Sequence, residues 1–346
     1  MQNWINTQSD NIVLSSRIRL ARNLKGIPFP NMLKEEKGKD IVAKIEEAFY
    51  NNITEKKYLT YYLWHNNDLM NTAFLEKHLI SNNLLKNKEM AAFIMDDLET
   101  MSIMINEEDH IRLQSITSGL NLEEAYNYID KIDDFLEENL DYAFSEELGY
   151  ITSCPSNLGT GMRASVMIHL PTLTMTNEIS GVINDLNQMG MTIRGLYGEG
   201  SKPFGNLYQV SNQITLGLKE DEIISKLTAV INGIINREIV CRKKLLKNKQ
   251  NELKDKVYRS IGILKSAILL KEDECLNMLS DVRMGVEMGI INDISIVKLN
   301  KLAIDTQWAI MQSNNDIIKN KNQVSNEELR LIRAKLVKDS LNSNDN

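Results

Sequence analysis

The last 143 residues of this 346-residue chain contain no proline. All five prolines (Pro28, Pro30, Pro155, Pro171, Pro203) come earlier, and 13 of the 17 glycines lie before position 220. Proline and glycine punctuate turns and are kept out of helix interiors. The chain therefore divides into a turn-rich domain of mixed structure, residues 1–220, and a domain, 221–346, expected to be almost wholly helical.

The second part opens with EDEIISKLTAVINGIINREIV. Its Ile223, Ile224, Leu227, Val230, Ile231, Ile234 and Ile235 form an apolar stripe wide enough to pack on two neighbours. From Arg242 to Lys256 seven basic residues face two acidic ones, either a solvated helix face or a docking surface for acidic or phosphorylated partners. Further helices are expected around 262–280, 296–312 and 326–340.

In the first part, IVLSSRIRLARN reads as a strand running into a turn, and KGKDIVAKIEEAFY as an amphipathic helix. AAFIMDD, TMSIMIN and HIRLQSIT read as strands. LNLEEAYNYIDKIDDFLEENL reads as a helix capped by Asn121. YITSCPSNLGTGMRASVMIHLP is strand, turn and a second apolar segment, and GMTIRGLYGEG with FGNLYQVSNQ is hairpin material. Strands following strands, with helices interposed irregularly, predict an α+β fold with a mainly antiparallel sheet flanked by helices.

Charge and cysteine content narrow the function. A net charge of −7 argues against non-specific nucleic-acid binding. No membrane helix or secretory signal is expected, and Cys154, Cys241 and Cys275 without CxxC spacing suit a reducing cytoplasm. Four scattered histidines without HExxH make a protein-held metal site unexpected.

Four segments carry unusual chemistry, each with an ordinary alternative. In SSRIRLAR, Arg17 and Arg19 share one strand face, as surface charge or as a polyphosphate receptor. NEEDHIRLQ crowds Glu107, Glu108, Asp109, His110 and Arg112 into six positions, as a charged turn or as an ion-binding site. CPSNLGTGMRASV sets the Cys154 thiol beside a rigid proline and a glycine turn, as a buried structural cysteine or as a thiolate. It lacks the Gly-Lys-Ser/Thr of a Walker A loop. RGLYGEGSKPFG is a flexible loop or a lid that brings Glu199 over a substrate.

Taken together, in this order and spacing, SSRIR, NEEDHIR, CPSNLGTGMRASV and RGLYGE resemble the catalytic domain of the phosphagen (guanidino) kinases. The resemblance implies ATP and Mg²⁺, with the metal held by phosphates and water. It implies a nucleotide site at Ser15, Ser16, Arg17, Ile18, Arg19, His78, Arg112, Arg163, Ala164, Ser165, Val166, Met167, Arg194, Gly195, Leu196, Tyr197 and Gly198. The five arginines would cage the phosphates. Glu108 would be the general base, Glu199 the clamp on the acceptor guanidinium, and Cys154 a thiolate tuning the field around it.

The layout is similar to that of the bacterial protein-arginine kinases. SSRIR begins at Ser15, with no helical domain expected before it, and the proline-free helices follow the catalytic part. This resemblance implies phosphorylation of arginine on proteins, a Clp protease and a heat-shock repressor as partners, a zinc-binding activator protein, a homodimer, and a cytoplasmic location. A kinase of a free guanidino metabolite and a non-catalytic phosphoarginine or Clp adaptor are the alternatives. An allosteric phosphoarginine site would fall at LRLIRA, on Arg330 and Arg333. Leu329 and Arg330 stand where the RDxxRA motif has Arg and Asp, and a shift of one position turns a side chain by about 100° around a helix, which argues against an intact site.

Overall fold

The computed structural model describes residues 3, 5, 12–51, 57–195, 204–314 and 324–343. The strands are β1 (Val13–Arg22), β2 (Tyr58–Tyr62), β3 (Ala92–Asp96), β4 (Met101–Ile105), β5 (Ile111–Ser118), β6 (Phe144–Ser145), β7 (Gly149–Tyr150), β8 (Met162–His169), β9 (Met191–Gly195) and β10 (Leu207–Asn212). The helices before residue 200 are α1 (Glu35–Tyr50), α2 (Asp68–Glu76), α3 (Asn82–Lys86), α4 (Leu122–Glu137), α5 (Pro171–Met175) and α6 (Ile179–Gln188). Then come α7 (Glu220–Asn248), α8 (Gln250–Ser266), α9 (Glu272–Glu287), α10 (Ile296–Asp305), α11 (Trp308–Ser313) and α12 (Asn326–Asn342). Eight strands form a sheet in the order β2-β3-β4-β5-β1-β8-β10-β9. The residues group into two compact units, one built mainly on Ser15–Val166 and Ser211–Ala229, the other on Met167–Val210 and Val230–Asn346.

In the first unit β3, β4 and β5 are buried along their whole length; AFIMD and MSIMI are almost unbroken apolar runs, whereas β5 (IRLQSITS) alternates and buries its polar residues too. Helix α4 lays Leu122, Ala125, Ile129 and Leu136 into the core, and the Ser115 hydroxyl on β5 donates to the Ala125 carbonyl at 2.6 Å. Asn121 occupies the cap position of α4 without capping through its side chain. Its amide donates to the Ser118 carbonyl instead, and its own N–H donates to Ser16 Oγ at 3.0 Å. The start of α4 is thus fixed from β1.

In the second unit α8, α9, α10 and α12 share an apolar core that includes Leu253, Val257, Leu279, Val282, Leu302 and Val337. Gly285 lets α9 approach α8: a Cβ there would lie 2.4 Å from Val257 Cγ1. The helix expected around 262–280 is two helices. The chain leaves α8 at Ala267 and re-enters at Lys271, because Leu270 is buried and its N–H goes to the Arg330 carbonyl at 3.2 Å. Among the described residues no helix is long and apolar enough to cross a membrane.

Candidate active site

Strand alternation and register assemble an arginine cluster on one sheet face. Along β1, residues 15, 17, 19 and 21 face one way and 16, 18, 20 and 22 the other. The antiparallel pairing sets Arg17 opposite Ile116, Arg19 opposite Gln114 and Ala21 opposite Arg112, so Arg112 shares the face of Arg17 and Arg19. From β8, Ser165 joins them, accepting from Arg17 Nε at 3.4 Å, and Arg163 lies two residues before it. Arg163 donates to Ser211 Oγ from Nε and Nη2 at 3.3 and 3.1 Å.

Four guanidiniums on three neighbouring strands repel one another. Burial, then the charges of Arg112 and Arg163, bring the Arg17 pKa down to about 10. Burial and the same neighbours, with Arg17 added, press Arg19 well below its ordinary value, and Glu107 offsets only part of this. The Nε of Arg19 is shielded from solvent and has no hydrogen-bond partner. His78 stands beside Arg17 in a left-handed conformation (φ 62°), its carbonyl held by the Gln114 amide at 2.9 Å. Burial, with Arg17 assisting, lowers its pKa to about 4, and its buried Nε2 is also unpartnered. An unspent guanidinium donor and like charges held together make a receptor for a polyanion.

Ser16 and Ile18 face the other way. The Ser16 hydroxyl donates to the Gly119 carbonyl, and Ile18 is core. Ala164 and Val166 likewise face the core from β8, so they offer the site backbone more than side chain, and Met167 is buried.

The turn between β4 and β5 holds the carboxylates. Asn106 takes φ 60°, a conformation Asn tolerates, and its amide donates to the Gly38 and Met90 carbonyls. Glu107 is buried, pairs with Arg112 Nη1 at 2.5 Å and accepts from Ser81. Burial pushes its carboxyl up, but Arg112, Ser81 and the Glu108 amide more than reverse this, leaving the pKa lowered. Glu108 keeps about a third of its side chain exposed and lies 3.8 Å from Arg112 Nη1. Burial raises its pKa, Arg112 and Arg19 oppose this, and Glu107 and Asp109 add to it.

Asn23, the residue after β1, ties this turn to the Cys154 segment. Its side chain donates to Asp109 Oδ1 at 2.7 Å and to the Ile151 carbonyl at 3.0 Å, and accepts from the His110 N–H at 2.9 Å. The same Asp109 oxygen accepts from the Ser153 N–H at 2.6 Å. Cys154 follows at once, half-buried, its Sγ 3.1 Å from Ser156 Oγ.

Arg22, on the opposite face from the cluster, stacks 3.5 Å above the Tyr150 ring and pairs with Asp133 at 2.6 Å. It also donates to the Ala21 and Thr160 carbonyls, fixing the loop that leads into β8. Gly161 is required in that loop. Its φ is +65°, and a Cβ would sit 2.6 Å from both Ala21 O and Arg22 Nη1. Gly161→Ala is therefore expected to destabilise the fold by at least ~2 kcal/mol, read as a lower urea midpoint at unchanged slope.

Arg194 and Gly195 end β9, in the second unit. Leu196, Tyr197, Gly198 and Glu199 lie outside the described residues. Arg333 is buried with its guanidinium spent on the Thr306 and Leu270 carbonyls and on Glu272. Arg330 gives its carbonyl to Leu270, and its Nε is buried without a hydrogen-bond partner. Among the described residues no cluster of three or more His, Cys, Asp or Glu could hold a metal. Sequence reasoning did not single out Asn23, Gln114 or Ser211 and gave Asp109 and His110 no role. Alternation from Arg112 could have found Gln114, whereas nothing local marks Asn23.

Comparison with known proteins gives the family. Residues 40–240 match the ATP:guanido phosphotransferase C-terminal catalytic domain, and residues 250–346 the protein-arginine kinase McsB C-terminal domain. The chain is 55% identical to a protein-arginine kinase of Clostridium kluyveri, covering 99% of each chain. It is 54% identical to one of Clostridium acetobutylicum, covering 99% of this chain and 100% of that one. The fold is similar to that of a crystal structure of lombricine kinase, with a TM-score of 0.58 at 22% identity over 70% of this chain and 69% of that one. The arginine-lined sheet face and these matches lead to one conclusion: the chain belongs to the ATP:guanido phosphotransferase family, among the protein-arginine kinases.

Proposed function

We propose that the chain transfers the γ-phosphoryl group of ATP to arginine side chains of proteins, giving N-phosphoarginine and ADP. The observation that carries the site assignment is the shared face of Arg17, Arg19, Arg112 and Arg163, crowded enough to depress the pKa of Arg17 and Arg19. Phosphoryl transfer asks a protein mainly for positioning and charge neutralisation, which fixed guanidiniums supply. The unpartnered Nε–H of Arg19 fits a nucleotide polyphosphate, and the His78 ring can donate to it in the Nε2–H tautomer. Mg²⁺, carried on the phosphates, would add charge neutralisation at the transferring group.

The acceptor guanidinium has a pKa above about 12 and arrives protonated. Glu108 is assigned the proton. As the N–P bond forms and the bond to the β-phosphate oxygen breaks, the attacking nitrogen gives its proton to the Glu108 carboxylate. Cys154 and Glu199 are assigned to hold the guanidinium's charge, and Arg194 with the 195–198 backbone to complete the phosphate cage.

Residues 1–220 carry the reaction in this reading, and 221–346 mediate homodimerisation and regulation. The partners proposed are a Clp protease, a heat-shock repressor and a zinc-binding activator, in a bacterial cytoplasm. The test is transfer from γ-labelled MgATP to an arginine-rich unfolded protein and to free arginine. Acid-labile phosphate mapped to protein arginines by mass spectrometry is expected. Transfer to free arginine alone would favour a metabolite kinase, and transfer to neither, with cell extract added to supply an activator, would overturn the reading in favour of a non-catalytic adaptor.

A further inference from the structure

His110 is spent on holding chain. Its Nδ1 accepts the Leu24 N–H at 3.1 Å, which leaves the proton on Nε2, and Nε2 donates to the Pro28 carbonyl at 2.9 Å. The ring thereby ties segment 24–28 to a position two residues after Glu108. That segment forms one wall of a groove of about 500 Å³ whose other wall is the first half of α1. Ile27, Pro28 and Met32 give it an apolar lining, and Met32 is 74% exposed. Lys34, Lys37 and Lys44 line it as well, against one carboxylate, Asp40. Lys37 lies 3.7 Å from Asp40 with both side chains well exposed, while the Lys34 and Lys44 ammonium groups have no ion pair among the described residues.

A protein substrate brings its own backbone and neighbouring side chains with the arginine, and these extend past Glu108 over the β4–β5 turn, whose Asn106 and His110 side chains bond α1 at the Gly38 carbonyl and segment 24–28 at the Pro28 carbonyl. An apolar lining with a cationic surplus suits acidic and apolar side chains. We infer that this groove binds the substrate polypeptide flanking the target arginine and selects flanks that carry acidic and apolar residues. The inference rests on the reading of Glu108 as the acceptor carboxylate. A free guanidino compound has no flank and gains nothing from the groove.

The test uses two peptides with the same target arginine, one flanked by Asp, Glu and Leu, the other by Ser and Asn. The full chain is compared with the variant Lys34→Glu/Lys37→Glu/Lys44→Glu, whose substitutions are exposed and outside the catalytic machinery. The parent is expected to favour the acidic flank by about three- to tenfold in kcat/KM at low salt, from up to three exposed charge pairs. The variant is expected to lose or reverse that preference with an unchanged KM for ATP. Added salt should shrink the parent's preference, because exposed pairs are screened. Met32→Ser should lower kcat/KM for the Leu-containing peptide alone.

An equal preference in parent and variant, or an equal loss on both peptides, would overturn the inference. A Glu108→Gln chain run alongside separates the two readings. Full activity there would remove Glu108 from the acceptor site, and the groove with it, whereas loss there with no flank preference in the parent would remove the groove alone.

Discussion

Glu108→Gln is expected to lower kcat by about 10²- to 10⁴-fold, the span typical of a lost general base. Glutamine keeps the shape of the side chain but neither takes the proton nor opposes the guanidinium's charge. Among the described residues Glu108 lies 3.8 Å from Arg112 and feels the charge of Arg19, whereas Glu107 makes the close pair with Arg112 at 2.5 Å. Nucleotide binding should therefore survive, seen as an undiminished rise in melting temperature on adding MgADP. The pH profile carries the sign of the same assignment. Burial, with Glu107 and Asp109 nearby, raises the Glu108 pKa. Only the ionised form can accept a proton, so kcat/KM should fall as pH drops through an acid limb lying above the ordinary glutamate value of about 4.3. A limb at or below that value, or a Glu108→Gln enzyme within tenfold of the parent, would remove Glu108 from the role.

Arg19→Met should move stability and activity in opposite directions. Arg19 shares its sheet face with Arg17, Arg112 and Arg163 and keeps a shielded Nε without a partner. An unsatisfied buried donor costs about 1–3 kcal/mol, and like-charge repulsion adds to it. Methionine keeps most of the length and removes both, so the ligand-free melting temperature should rise by a few degrees. Transfer should fall by about 10³-fold or more, in line with the loss of an arginine that meets transition-state charge. The melting shift on adding nucleotide should shrink as well, because less binding free energy remains to be linked to folding. A lower ligand-free melting temperature would show that Arg19 holds the fold rather than the phosphates.

The elements themselves were largely legible in the sequence. β3 and β4 lie within AAFIMDD and TMSIMIN, β5 runs one residue past HIRLQSIT, and the amphipathic stretches became α1 and α4. Local period decides such elements, and these segments are strongly patterned. Alternation alone put Arg17 and Arg19 on one face. It could not place Arg112 with them, because that depends on a register pairing Ala21 with Arg112 across about 90 residues of chain. The missed residues are those whose partners are distant. Asn121 looked like a side-chain cap, but β1 supplies Ser16 to that turn. The apolar run AILL reads as continuing helix until Leu270 finds the Arg330 carbonyl 60 residues on. Asn23 sits in an unremarkable strand-to-turn position, and its three side-chain hydrogen bonds reach 86–128 residues away.

Asn23 directly follows the strand that carries Arg17 and Arg19, and its side chain grips the turn that carries Glu108. In the proposed mechanism, one short stretch of backbone therefore sets the gap between phosphoryl donor and acceptor nitrogen before either substrate arrives. What such a tie supplies is effective molarity, a pre-set approach worth several orders of magnitude in rate when the reacting atoms are held in line at about 3–3.5 Å. An enzyme deprived of it would saturate with both substrates at ordinary concentrations and still turn over slowly, because two well-bound partners would seldom meet in line.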